Sequence, residues 1–173
     1  MNSKNKGNSF ERDIARKLSL WLTDNKNDNC IWRSQTSGGR STIRGRKGLN
    51  DSVTKKNVGD LIQTLDKGIY SNLDLFFDNF FVEIKKGYND TFNFYPSFNK
   101  GLEKIIQQCI DNKNISNCSF FLIVKPDRKD ILILTDKKLN IDYKLVLNIL
   151  NIDIYCYLYK DVINVDFKNL TIL

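Results

Sequence analysis

Residues 119–124, SFFLIV, and 131–134, ILIL, are apolar at almost every position and are separated by the turn-forming stretch PDRK. A strand that is apolar on both of its faces cannot lie with one side in water, so these runs require a sheet covered on both sides by other elements. A third run, FFVEIKK at 80–86, is apolar for its first half only. Two segments have the periodicity of covering helices. Residues 9–22, SFERDIARKLSLWL, place Phe10, Ile14, Leu18 and Trp21 or Leu22 at helical spacing behind Ser9 as N-cap. In GLEKIIQQCIDN, Leu102, Ile105, Ile106, Cys109 and Ile110 form one face, with NKN as the end signal. The fold class that follows is α/β, with a mixed sheet of four or five strands flanked by two helices.

The remaining chain fits that frame as a single domain over residues 1–173, without repeats or a linker. After the polar breaker TDNKNDN, CIWRSQ has the composition of a short strand. Residues 37–57 form a Gly-rich basic loop that holds four of the nine glycines. From Val58 the pattern predicts a β-meander: VGDLIQTL, a turn at DKG, LDLFF, and FFVEIKK after a two-residue hairpin turn at Asp78-Asn79. In that register Phe77 pairs with Phe80, and Asp74 lies opposite Glu83. The element order is αβββαβ with an added strand. Residues 137–173 are a C-terminal extension, with an amphipathic stretch YKLVLNIL and a β-rich end YCYLYKDVINVDF.

Lysine and arginine outnumber acids 27 to 20, a net charge of +7 that favours a polyanionic partner, nucleic acid first. The excess is concentrated: Arg33, Arg40, Arg44, Arg46, Lys47, Lys55 and Lys56 stand against Asp51 alone. The chain has no histidine, which excludes His-based nucleases and the usual hydrolase triads. Its four cysteines lack CxxC spacing and read as reduced, mostly buried thiols rather than zinc ligands. With no apolar leader and no stretch long enough to span a bilayer, the expectation is a soluble, intracellular and cytoplasmic protein with no membrane partner.

The chemistry concentrates on FFVEIKK. Glu83 and Lys85 alternate on one strand and therefore point to the same face. An exposed ion pair on an edge strand is the plain reading of that pattern, and such a pair contributes little. Upstream, Gly59-Asp60 opens another strand and supplies a second carboxylate. Two carboxylates suit Mg2+, a hard ion that takes one or two of them and fills its remaining positions with water and phosphate oxygens. In such a site Lys85 orients the attacking water or helps to deprotonate it. Asp74, opposite Glu83 in the hairpin register, competes with Asp60 as the first ligand. Glu11, at the rim of the first helix's apolar stripe, reaches towards the cluster from the side, although a glutamate near a helix N-terminus is also favoured by the dipole alone.

Taken together, KGNSFERDIARKL, WRSQTSGGR, GDL, FFVEIKKGY, a helix with Gln107-Gln108, and FFLIVKPDRKDILIL resemble the PD-(D/E)xK phosphodiesterase superfamily. The likeness is greatest to phage and archaeal Holliday-junction-resolvase-like nucleases, and it covers residues 6 to about 135. It implies a restriction-endonuclease-like fold, and a site of Glu11, Asp60, Glu83 and Lys85 using Mg2+, with Mn2+ as substitute. Here the usual Pro-Asp dipeptide is Gly-Asp, and the gap to Glu83 is longer than in compact members. A glutamine of the following helix, Gln108 or Gln107, stands near the site in such proteins. Arg33, Arg40, Arg44 and Arg46 are expected to hold DNA phosphates, with Lys86, Tyr88, Lys125 and Arg128 extending the surface. The implied activity is endonucleolytic hydrolysis of DNA to 5′ phosphate and 3′ hydroxyl ends, in a branched-DNA resolvase acting as a homodimer. A restriction-like or damage-directed endonuclease, or a non-catalytic DNA-binding module on the same fold, is the alternative.

Overall fold

In a computed structural model, which describes residues 3–34, 58–87 and 100–170, the apolar run Ser119–Lys125 is the middle strand of a seven-stranded sheet. Along the described chain the elements are α1 (Ser3–Leu22), β1 (Ile31–Arg33), β2 (Leu61–Gln63), α2 (Ser71–Asn79), β3 (Phe80–Lys86) and α3 (Lys100–Ser116). They continue as β4 (Ser119–Lys125), β5 (Leu132–Thr135), β6 (Leu145–Ile149), β7 (Ile152–Leu158), α4 (Tyr159–Ile163) and a 3-10 turn at Phe167–Asn169. The sheet order is β1-β2-β3-β4-β5-β7-β6. β3 and β4 are parallel, joined through the crossover that contains α3, and the other neighbouring pairs are antiparallel. This is the expected α/β architecture with a mixed sheet between helices.

Each face of β4 has its own core, as its doubly apolar sequence requires. Phe121 and Ile123 join Ile14, Leu18 and Leu22 of α1, Leu73 and Phe76 of α2, and Val82 and Ile84 of β3. Phe120, Leu122 and Val124 join Leu102, Ile105, Ile106 and Cys109 of α3, with Phe81 of β3. Alternation along β3 therefore assigns Val82 and Ile84 to the α1 side, and Phe81, Glu83 and Lys85 to the α3 side.

The expected hairpin before β3 is not formed. LDLFFDN is helix α2, which runs through Asn79 directly into Phe80, whose backbone N–H still donates to Phe76 O. The same residues satisfy both periodicities, and the aromatic core decides between them. Phe76 is fully buried against Trp21, Phe77, Phe80, Phe121 and Phe167, whereas Leu75 is 51% exposed. In an alternating strand Leu73, Leu75 and Phe77 would have been buried together. Opposite Glu83 the sheet presents Leu122 of β4.

The C-terminal extension is part of the sheet rather than an appendage. β6 and β7 form a hairpin about Leu150-Asn151, both at positive φ (54° and 61°), and β7 inserts against β5, which enlarges the sheet beyond the expected four or five strands. Helix α3 also passes through the NKN signal and ends at Ser116, before Asn117 at φ 61°. The cysteines are free thiols, with Cys30, Cys109 and Cys156 buried. Among the described residues no helix is long and apolar enough to cross a membrane.

Candidate active site

β2 meets β3 at a single residue pair, Leu61 with Val82, and Asp60 supplies the contacts on either side of Glu83. Its backbone N–H donates to Val82 O at 2.7 Å, and its carboxylate Oδ2 accepts the Ile84 N–H at 2.8 Å. The side chain thus takes the place of a ladder carbonyl, which fixes the carboxylate beside the one strand residue between those two bonds. Gly59 makes the approach possible. It sits at φ 90°, and a Cβ there would fall 2.6 Å from Val82 O. The Gly-Asp dipeptide is therefore a packing requirement of this strand pair.

Glu83 is held from two sides. Lys85 Nζ donates to its Oε2 at 3.2 Å, and Asn112 Nδ2 of α3 donates to its Oε1 at 2.8 Å. All four groups are sequestered: Asp60, Glu83 and Asn112 are 9%, 4% and 2% exposed, and the Lys85 side chain 18%. Burial pushes the Glu83 carboxyl up to about 7, the Asp60 carboxylate adds to the rise, and the Lys85 ammonium opposes it. For Lys85, burial favours the neutral amine, but the Glu83 and Asp60 carboxylates outweigh it and hold the ammonium above its ordinary range. The effect of burial thus prevails at the acid and that of charge at the base. With both acids ionised, one ammonium faces two carboxylates, leaving a buried net negative charge with oxygen donors only.

Those features fit a hard divalent cation, which takes one or two carboxylates and completes its shell with other oxygens. The fit rests on Asp60 and Glu83. Among the described residues, no group of three or more acidic, cysteine or histidine side chains comes together as a ready metal cage. Both Glu83 oxygens accept a hydrogen bond, and each retains a second lone pair for a cation.

The structure brings together Asp60, Glu83 and Lys85 and separates the other candidates. Asp74 is on α2, where its carboxylate accepts the Gly68 N–H and the Gln63 amide, each at 2.7 Å. Those two bonds hold its carboxyl below the usual range, and the hairpin that would have set it opposite Glu83 is replaced by the helix. Glu11 pairs with Arg33 of β1. Arg33 shares the side of Ile31, which belongs to the α1 core, so this ion pair lies across the sheet from Glu83 and Lys85. Lys86 lies with its Nζ 5.4 Å from the centre of the Phe10 ring. Lys125 donates to Lys129 O, and Arg128 occupies the turn at φ 59°. Arg40, Arg44, Arg46 and Tyr88 lie outside the described residues.

Asn112 is the site residue that sequence reasoning missed. Gln107 bonds Asp111 at the surface, and Gln108 is half-buried, while the amide that reaches Glu83 comes one turn after Gln108. A signal was present: the buried stripe Leu102, Ile105, Ile106, Cys109 continues by helical spacing to Asn112, so a polar side chain falls on a buried face and needs a partner.

Residues 2–172 match the family model described as phage putative PDDEXK endonuclease. No curated protein and no solved structure matches the chain. A match over nearly the whole chain shows that this chain belongs to the phage PDDEXK endonuclease family.

Proposed function

We propose that the chain is a metal-dependent endonuclease that hydrolyses DNA phosphodiester bonds on the α3 side of β2 and β3. The convergence of two buried carboxylates and one ammonium supports this reading above all. Asp60 and Glu83 would hold Mg2+, or Mn2+ in its place. When bound, such an ion polarises the phosphoryl oxygen and lowers the pKa of a coordinated water. Asp60, tied to the Ile84 N–H, provides a ligand whose position is set by the backbone. Asn112 turns the Glu83 carboxylate and, as a neutral donor, leaves its charge in place for the cation. Lys85, held as an ammonium beside Glu83 in the metal-free chain, is placed to orient a water or a phosphate oxygen.

Glu11, paired with Arg33 on the α1 side of the sheet, stays outside the cation's shell in this reading. Arg33, Arg40, Arg44, Arg46 and Lys86, with Gln108 near the site, are the groups proposed to meet DNA, in a chain of net charge +7. Branched DNA is the proposed substrate. Resolution of a four-way junction needs two cuts related by a two-fold axis, hence a homodimer. The decisive experiment incubates the purified protein with linear duplex, single strand, flap and four-way junction in Mg2+, Mn2+ or chelator. Cleavage that requires the metal, with paired symmetric cuts in the junction, is the expected result. DNA retardation without cleavage in either metal would reduce the chain to a binding module. Cleavage of every substrate except the junction would remove the resolvase assignment and retain the nuclease.

A further inference from the structure

Trp32 is 56% exposed on the edge strand β1. Its neighbours Ile31 and Arg33 face α1, so Trp32 faces the other way, paired in register with Ile62. Ile62 alternates with Asp60 along the chain, and the Leu61–Val82 pairing places Asp60 and Glu83 on that same side. Trp32, Asp60, Glu83 and Lys85 therefore share one side of three neighbouring strands. The indole N–H donates to Asn29 Oδ1 at 2.6 Å, so the ring is tethered rather than free to turn. A tethered, solvent-facing indole loses little conformational freedom when a flat partner covers it.

We propose that Trp32 is a stacking platform for an unpaired nucleobase of the strand held at Asp60 and Glu83. Within the branched DNA proposed above, forms with an unpaired nucleotide beside the cut, such as a flap, are then favoured over a fully paired four-way junction. The proposal rests on the nuclease reading for the location of the cut. Two observations support it together, the exposed ring and its position on the face of the acid pair, in a chain whose net charge of +7 favours a polyanionic partner. In paired duplex every base face is already covered by its neighbours, so the ring has little to gain there. An unpaired base offers a whole face, and aromatic stacking accepts any of the four bases.

The test measures binding by fluorescence anisotropy in Ca2+, with end-labelled single strand, flap and fully paired duplex, for the unaltered chain and for Trp32→Leu and Trp32→Phe. Leucine is expected to weaken single-strand and flap binding by roughly ten-fold or more, with about the same duplex affinity, while phenylalanine retains most of the binding. The slope of log affinity against log salt should stay the same, because no charge is lost. Three results would each overturn the proposal: equal binding by the leucine variant and the unaltered chain, equal loss on duplex and unpaired DNA, or no binding of unpaired DNA by the unaltered chain. Light scattering on the same samples covers the remaining occupant of this surface: a dimer that dissociates in both variants would assign Trp32 to contact between copies and overturn the proposal. Because binding is read without turnover, it fails independently of the cleavage assay. If the unaltered chain cuts DNA and Trp32→Leu binds unpaired DNA equally well, the nuclease reading stands and the platform is lost.

Discussion

Replacing Glu83 by glutamine keeps the side chain's shape, including an oxygen for Asn112, and removes the charge that a cation needs. Cleavage by Glu83→Gln is expected to be undetectable, with the fold retained by circular dichroism, although the buried Lys85 ammonium loses one of its two carboxylate neighbours. Wild-type rates in this variant would exclude the site. Asn112→Leu tests the partner. It retains the bulk in the core but leaves Glu83 Oε1 without its donor, and a loss of roughly 10- to 100-fold in Mn2+ affinity is expected by calorimetry. Asp60→Ala and Asp74→Ala separate the two acids. The first should abolish metal binding, and the second should disturb only the turn that Asp74 fastens through Gly68. Metal binding lost in Asp74→Ala and kept in Asp60→Ala would move the first ligand to α2. At this scale most of the candidate site, as the fold assembles it, was readable in advance. Glu83 and Lys85 follow from alternation, and Asp60 from the family pattern, whereas Asn112 needs the helix register and the strand partner together.

The segment from Gly59 to Lys86 shows what a sequence pattern leaves open. β3 was readable because an apolar run that turns into E-x-K has only one alternation. α2 was not, since LDLFF satisfies period 2 and period 3.6 equally well, and long-range packing of Phe76 among rings from α1, β3, β4 and the C-terminal turn selected the helix. Phe76→Ala should therefore cost about 3–5 kcal/mol in denaturant unfolding. A change within about 0.5 kcal/mol would show that the ring is peripheral. The β6–β7 hairpin was unreadable for a local reason: its turn is Leu150-Asn151, without the glycine that usually marks such a turn. Gly59→Ala bears on the β2–β3 junction. The added methyl meets Val82 O and the residue must hold φ 90°, so a loss of about 1–3 kcal/mol or more is expected, with Asp60 displaced and cleavage lost. A fully active, equally stable alanine variant would mean that the strands separate without consequence.

For the whole molecule, Glu83 links stability to pH in an unusual direction. Its folded value of about 7 lies above the ordinary 4.5, so the native state binds the proton more tightly than the unfolded chain. The associated stability is complete below pH 4.5 and is lost as pH rises through about 7, on the order of 3 kcal/mol for the metal-free protein. Urea unfolding at several pH values in chelator should show that decline, and Glu83→Gln should flatten it. An equal slope in the variant would assign the linkage elsewhere. The single Leu61–Val82 pair between β2 and β3 carries a further consequence. The sheet is a five-strand block, β3 to β6, to which the β1–β2 ribbon is hydrogen-bonded through Asp60, while Ile31 and Leu61 seat it in the α1 core. With the fewest paired residues of any seam in the described sheet, this junction can open with less free energy than global unfolding. In hydrogen exchange, the amides that join it to β3, Asp60 N–H to Val82 O and Ile84 N–H to Asp60 Oδ2, would exchange before those of β4. A cation held at Asp60 would slow them, so that a ligand at the catalytic face acts as a rivet for the edge of the sheet.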